Sequence, residues 1–451
     1  MNVTAAFPSI AQPGLEWNYD DELFGPEPTW TSEPDVDIIR KIVQRELNIP
    51  ENAQCDVEFL AEGSFNKVYK IKCSDDEAYI MRVTLPVHPG FKTQCEVATI
   101  QFVNKHTDIP IAKVLKHDSS FDNDLGFEWM IQDFIPGETL ETAWQNASME
   151  KKEVLVRKVV MYLARLFEMR FDRIGGLYQN DSSTVPPPLE WNPAMMPLLA
   201  VPSDLSAYDI GEVVSLQLFI GDHLSHSVSR GPYTSSRSWL AARIQLYIED
   251  ALKVMTDASL EPDNYDRTAA SAVMNMGMRL LMLLPKIFPS AEDEEKYYFI
   301  MHHNDLDIQN MLINPNGDLT GIIDWENIHT SPLWYGCQLP KFLCGPSSRD
   351  MPGKDKFMII EDGKDEPVLD NVYWLRLRQY EQTQLRKVFF EEMKQVCPEW
   401  VRVFDESTDQ ADFELAVQNI DNELCCQKIL RWIKGAMDDE DQTSLQDLFW
   451  G

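Results

Sequence analysis

No apolar run in this chain is long enough to cross a bilayer. The most apolar stretch near the middle, Leu280 to Leu284 ahead of Pro285-Lys286-Ile287-Phe288, falls far short of the ~20 residues that a spanning helix needs. Bases are scarce as well: 40 Lys and Arg stand against 73 Asp and Glu, a net charge of −33. That balance denies the chain the basic face on which nucleic-acid phosphates are held, and it disfavours anionic membrane surfaces. A cationic acceptor would gain from it electrostatically, although acids spread over a solvated surface account for it more plainly. The eight cysteines include no C-x-x-C pair, and the adjacent Cys425-Cys426 has poor geometry for a disulfide or a zinc site. Met1 to Asp35 lacks the apolar segment of a secretory signal and the Arg-rich character of a mitochondrial presequence. A reducing, cytoplasmic setting with free thiols is therefore expected. There is no internal repeat and no low-complexity segment. What remains is globular, with 44% hydrophobic and 25% charged residues in 451, more than one typical domain.

The most informative stretch is His302-His303-Asn304-Asp305-Leu306-Asp307-Ile308-Gln309-Asn310. It leads into the apolar Met311-Leu312-Ile313. Asn314-Pro315-Asn316-Gly317 then predicts a turn, and Leu319 to Ile323 a second strand. A hairpin of that length returns Asp324 to the end where the loop began. Two acids and an amide thus converge, the oxygen donors that Mg²⁺ prefers beside phosphate. In phosphoryl transfer Asp305 is the candidate base for an attacking hydroxyl, with Asn310 and Asp324 as metal ligands. His303 would orient the loop by hydrogen bonds rather than react. The spacing H-x-D-x-x-x-x-N is that of a kinase catalytic loop, with Asn304 where Arg is usual.

Such a loop calls for a nucleotide-cradling lobe upstream, and residues 56 to 134 supply a candidate. Val57 to Leu60 and Lys67 to Ile71 alternate as strands around the turn Glu62-Gly63-Ser64-Phe65-Asn66. Gly63, with Ser64 beside it, could admit phosphate to the backbone amides, though a generic hairpin fits the same residues. Ala78 to Val83 is a third strand carrying Arg82, and Glu96 lies in a helix expected from Phe91 to Lys105. Arg82 can grip phosphate or carboxylate bidentately. An ordinary surface Arg–Glu pair is the plainer alternative. Ile109 to Val114 leads into a fourth strand, and Gly126 to Gln132 forms a fifth. Asp133-Phe134-Ile135-Pro136-Gly137 ends it, a link whose backbone could meet a purine edge.

Taken together, Glu62 to Tyr69, the I-P-I-A-K-V run, Phe134 to Gly137, His303 to Asn310 and Ile322-Ile323-Asp324-Trp325-Glu326 resemble the aminoglycoside phosphotransferase and choline kinase-like family. Phe171 to Tyr178, Arg230 to Arg237 and Leu333 to Pro340 resemble its fungal members. The resemblance covers roughly residues 30 to 345. It implies an α+β, two-lobed protein-kinase-like fold with a small β-rich N-lobe and a larger, mostly helical C-lobe. It also implies ATP or GTP as co-substrate, Mg²⁺, and a small-molecule hydroxyl acceptor. On it, Asp305 is the base and Asn310 and Asp324 the metal ligands. Arg82 stands where the family has its phosphate-holding Lys, Glu96 is its partner, and Asp133 and Ile135 offer backbone groups to the purine. The family loop commonly reads H-G-D, whereas Asn304 replaces its Gly. The alternative is a catalytically inactive relative that binds nucleotide or a partner. A protein kinase is disfavoured, because Asp324-Trp325-Glu326 replaces D-F-G and no A-P-E follows.

The expected layout is an acidic lead-in over 1–54 with one helix near Asp35 to Leu47, then the N-lobe over 55–135. The C-lobe follows over 136–345 and a mostly helical extension over 346–451, with Tyr373 to Cys397 its clearest helix. Between Tyr178 and the loop, helices are expected over Ser238–Val254 and Thr268–Leu284. Asp204, Asp209, Glu212, Asp222, Trp191 and Tyr233 are candidates to line an acceptor pocket. Neither the acceptor nor the oligomeric state is legible.

Overall fold

The computed structural model describes residues 12–19, 25–73, 77–180, 207–261, 264–289, 299–360, 368–438 and 443–450. The chain opens with a short hairpin, β1 (Leu15–Asn18) and β2 (Glu27–Trp30), and helix α1 (Val36–Glu46). Asp35 caps α1 by accepting from the N–H groups of Asp37 and Ile38 (2.8 and 3.2 Å), meeting donors that the first helical turn cannot pair internally. Ile39, Ile42 and Val43 recur at helical spacing and are buried in the same core as the sheet that follows.

That sheet is antiparallel, with β3 (Cys55–Glu62), β4 (Asn66–Cys73), β5 (Ala78–Thr84), β6 (Val114–Asp118) and β7 (Glu128–Asp133) in the order β3-β4-β5-β7-β6. The expected strands stand within two or three residues of these. Arg82 lies opposite Val68 on β4 and Met130 on β7, which fixes it mid-sheet. Between β5 and β6 runs α2 (Phe91–His106), mostly buried, with Phe91, Gln94 and Lys105 exposed. It has no polar stripe because the sheet covers one side and the second lobe the other.

The link after β7 leads to β8 (Glu138–Thr139), α3 (Leu140–Trp144) and α4 (Met149–Glu168), the last capped by Ser148. Next come β9 (Gly176–Gln179) and β10 (Tyr208–Gly211), which pair with each other, then α5 (Leu216–Phe219), α6 (Ser236–Thr256) and α7 (Tyr265–Ile287). β11 (Phe299–Met301) precedes the candidate loop, and β12 (Met311–Ile313) and β13 (Leu319–Ile322) form the expected hairpin. Its turn closes through the Gly317 N–H to Asn314 O (2.8 Å), with Gly317 at φ 88°, a conformation glycine adopts without steric cost. β14 (Thr330–Pro332) pairs back onto β11 and runs into α8 (Leu333–Gly336).

Helices α9 (Asn371–Val396), α10 (Pro398–Glu406), α11 (Thr408–Gln418), α12 (Glu423–Asp438) and α13 (Leu445–Trp450) complete the chain. They share one apolar core with α4, α6 and α7. Two of the charges that enter that core are paired there: Arg243 grips Glu414 bidentately (2.6 and 2.7 Å), and Lys152 meets Glu381 (2.8 Å). No helix among the described residues is long and apolar enough to cross a membrane.

Candidate active site

The loop from His302 to Asn310 runs from β11 to β12. Asn310 is buried and turns its amide toward Asp305, donating to the Asp305 backbone O and to Oδ2 (2.9 Å each). Both donor hydrogens are thereby spent, so what Asn310 retains for a metal is its Oδ1. The backbone ties the second acid to the same place, because Ile323 N–H donates to Asn310 O (2.9 Å). Asp305 Oδ1 accepts from Lys341 Nζ (2.7 Å), and Asp307 faces Arg378 (3.6 Å).

Asp324 sits at φ 63° and Asn327 at φ 57°, left-handed backbone that costs a non-glycine residue of order 1 kcal/mol. The surroundings hold this turn on every side. His303 Nε2 meets the Ile323 carbonyl (3.0 Å), Trp325 Nε1 donates to Ile322 O (3.0 Å), and Asn304 donates to Asn327 O (3.1 Å). The His303 ring packs edge-on against Trp325 at 4.9 Å. His303 is therefore a positioning residue. Its burial drives its pKa down to about 4 against the pull of the Ile323 carbonyl, so the ring is neutral at pH 7.

From the other lobe come Arg82 and Glu96, which form a buried ion pair. Arg82 also reaches Glu326 (3.4 Å) and stands 3.9 Å from Asp324. Burial alone would lower the guanidinium, but Glu96, Glu326 and Asp324 outweigh it and raise it. The surface-pair alternative thus fails on burial. Lys92, one helical turn before Glu96 and fully buried, donates to Glu326 Oε2 (2.7 Å), and Asn66 Nδ2 donates to the same oxygen (2.7 Å). Glu326 consequently stays ionised despite burial, since Lys92 and Arg82 hold its pKa down. Asp324 has the opposite fate, because burial and the Glu326 charge push it up to about 7 against Arg82.

The donor set suits a hard dication. It consists of one amide oxygen with both its N–H groups already committed, and one carboxylate whose ionisation is penalised until a cation arrives.

Other expected residues take plainer positions. The Gly63 N–H is committed to Asn66 O (2.9 Å), and a Cβ at Gly63 would meet nothing within 4 Å, so close packing does not require glycine there. Ser64 is exposed at the tip, while Phe65 turns inward onto Phe219 of α5 (5.4 Å between ring centroids). Asp133 N–H donates to Lys113 O (3.1 Å) inside the sheet. Ile135 packs over Gly321 of β13 and lines a groove of about 700 Å³ with Phe134, Pro136 and the hairpin tip. Of the candidate acceptor residues, Asp222 pairs with Lys253 (2.7 Å), Glu212 faces His88 (3.8 Å) and the Tyr233 hydroxyl donates to Ser229 O. Asp209 lies in β10 opposite Tyr178, and Asp204 and Trp191 are outside the described residues.

Sequence reasoning missed Lys92, Asn66 and Lys341 and gave Glu326 no role. Lys92 could have been found, since it shares a helical face with Glu96 at i, i+4. Lys341 carried no local signal. The Lys92–Glu326 pair is buried, so breaking it strands a charge. Lys92→Met is expected to destabilise the protein by about 3–5 kcal/mol. The double variant Lys92→Met/Glu326→Leu should recover much of that in urea unfolding. Equal losses in both would argue against an uncompensated Glu326 as the cause.

A small antiparallel lobe joined by a short link to a helical lobe defines a kinase-like fold, in which an acid-amide-acid set faces an Arg–Glu pair. The chain belongs to the phosphotransferase enzyme family, whose model matches residues 56–335. Its relatives include a subtelomeric hrmA-associated cluster protein of Aspergillus fumigatus, 23% identical over 366 residues, covering 74% of this chain and 67% of that one. Another is altered inheritance of mitochondria protein 9 of Yarrowia lipolytica, 21% identical over 291 residues, covering 60% of this chain and 49% of that one. Among solved structures, a thermostable mutant of aminoglycoside phosphotransferase APH(4)-Ia, in ternary complex with AMP-PNP and hygromycin B, aligns at 14% identity. The alignment covers 89% of this chain and 96% of that one, with a TM-score of 0.41. Spectinomycin phosphotransferase APH(9)-Ia with ADP and its antibiotic aligns at 10% identity over 92% and 97%, with a TM-score of 0.40.

Proposed function

We propose that this protein is a small-molecule kinase that transfers the γ-phosphoryl group of ATP or GTP to an alcohol. The observation that carries the reading is the three-way tie of Asp305, Asn310 and Asp324, with Asn310 bonded at once to Asp305 Oδ2 (2.9 Å) and, through its backbone, to Ile323 (2.9 Å). Asp305 accepts the proton of the attacking hydroxyl as the new P–O bond forms and the bond to the β-phosphate oxygen breaks. Asn310 Oδ1 and Asp324 would hold Mg²⁺, which would neutralise charge on the phosphates. Arg82, steadied by Glu96, faces the same phosphates, and the link at Asp133 to Ile135 receives the purine. His303 keeps the Asp324 turn in register. Little covalent chemistry falls to the protein in such a transfer, so rigid placement is most of its task.

The test is nucleotide-dependent thermal stabilisation with ATP or GTP and Mg²⁺, on wild type and Asp324→Ala. A ligand at one hundred times its dissociation constant adds about 2.7 kcal/mol to apparent stability. A Mg²⁺-dependent shift in wild type that is lost in Asp324→Ala supports the nucleotide–metal site and justifies an acceptor screen. No shift at millimolar nucleotide turns the balance to a non-catalytic kinase-like protein. Arg82, held by Glu96 and Glu326, would then be a structural cation.

A further inference from the structure

A second cluster lies away from the candidate active site, where α5 meets α6. His223 and His226 sit in a 3-10 turn and its exit, and Asp250 comes from α6. Asp250 Oδ2 lies 2.7 Å from His223 Nε2, and Oδ1 lies 2.7 Å from His226 Nε2. One ligand atom from each of the three falls within 4.8 Å of the others. The His226 side chain is fully buried.

The protons decide what this cluster is. His223 Nδ1 lies 2.6 Å from Gln217 O, and a carbonyl only accepts, so Nδ1 carries the hydrogen. In a neutral ring Nε2 then holds a lone pair, aimed at a carboxylate oxygen at 2.7 Å. Two lone pairs at that distance share a proton; a tetrahedral metal about 2.0–2.2 Å from each would hold the same atoms about 3.3 Å apart, so metal binding replaces that proton and parts the pair by roughly half an ångström. A backbone carbonyl fixing the far nitrogen is also the usual support of a metal-bound histidine. The groups around the cluster permit either cation. Lys253 Nζ stands 3.4 Å from His226 Nδ1 but is held by Asp222 (2.7 Å) and half exposed, free to turn outward as His226 shifts its proton to Nδ1. Asp421, after α11, is close enough to Asp250 for their charges to interact, and Arg230 is occupied with the His223 carbonyl (2.7 Å).

We propose that His223, His226 and Asp250 form a binding site for a zinc-class divalent metal, distinct from the Mg²⁺ site. Two imidazoles and a carboxylate are borderline-soft donors suited to zinc or cobalt, and a water can complete a tetrahedron. The site anchors the segment that carries Phe219, and Phe219 packs on Phe65 in the β3–β4 turn (5.4 Å). A bound ion would therefore brace the turn over the nucleotide site without touching substrate.

The experiment is metal retention by full-length protein, stripped with chelator and reloaded with Zn²⁺ or Co²⁺, followed by elemental analysis and the absorption of tetrahedral cobalt. Wild type and Asp324→Ala should both retain stoichiometric metal and show the cobalt bands. His226→Gln and Asp250→Asn should bind at least as much more weakly as loss of an outer partner costs, roughly 10–100-fold. Far-ultraviolet circular dichroism confirms which variants fold, and Gln or Asn at these positions retains a polar partner for the neighbours. Absence of retained metal in wild type, or retention unchanged in both variants, overturns the proposal. So does a cluster whose stability responds to pH and not to zinc, since the bridging cation is then a proton.

Discussion

Asp305→Asn is expected to lower phosphoryl transfer by about 10²–10⁴-fold, the usual contribution of a positioned general base. Dissociation constants for Mg²⁺–nucleotide should stay within a few-fold of wild type. The split follows from the geometry. Asp305 shares Asn310 with the metal site but also reaches outward to Lys341 (2.7 Å), whose side chain is more than half exposed. Removing the Asp305 charge therefore leaves Asn310 Oδ1, Asp324 and the Arg82–Glu96 pair in place. An exposed ion pair of that kind is worth at most about 1 kcal/mol, so the variant should fold. Rapid-quench measurement of one turnover, with titration of a non-hydrolysable nucleotide, separates the two effects. Retained turnover would remove Asp305 as the base. Lost nucleotide binding would show instead that Asp305 mainly holds Asn310.

The pieces of this site that sequence disclosed are those where chemistry and spacing coincide. The Asp305-to-Asn310 interval, the turn at Asn314 to Gly317 and the return to Asp324 are local, and each has a period or turn signature that short-range physics sets. The five strands and α2 were legible for the same reason. Glu326 was visible as a letter but not as a partner, because its role depends on Lys92 and Asn66, more than two hundred residues away. Long-range ion pairs leave no periodic trace. The first residues of the chain teach the same lesson from the other side. Their acids and prolines suggested a lead-in, yet Ile39, Ile42 and Val43 join the N-lobe core, and Glu33 pairs with the buried Lys67. The His223–His226–Asp250 cluster escaped because Asp250 is a helix residue well separated from the histidines. Only the packing of α5 on α6 brings them together.

Lowering the pH from 6.5 toward 4 is expected to remove most of the protein's stability. His88, His303 and His329 are buried with pKa values driven down to about 4, and His302 to about 3, chiefly by loss of water around the charged form. Each ring keeps one nitrogen (His88 Nδ1, His302 Nδ1, His303 Nδ1, His329 Nε2) buried without a hydrogen-bond partner among the described residues. Protonating any of them creates a buried, unmatched N–H as well as a buried charge. The sign follows from linkage. Below about 6.5 the unfolded chain binds these protons and the native state does not, so stability is full above that pH and drains away as pH falls toward 4. Between pH 6.5 and 4 each such depression is worth on the order of 3 kcal/mol. Four such groups together approach on the order of 10 kcal/mol before coupling among the neighbours His302, His303 and His329 reduces it. A typical domain has only about 5–15 kcal/mol in all. Glu128 and Asp324, both raised to about 7, act the other way, gaining stability as pH falls from 7 toward 4. Asp412 and Asp421, raised by burial, act with these two, while Asp250, held low despite burial by His223 and His226, and Glu326, held low despite burial by Lys92 and Arg82, add to the loss, so the net slope is expected to stay with the histidines. Urea midpoints by circular dichroism at pH 7, 6, 5 and 4 measure it, with His329→Asn expected to flatten the profile. A midpoint constant down to pH 4.5 would falsify the assignment of neutral buried imidazoles and return acid sensitivity to the carboxylates.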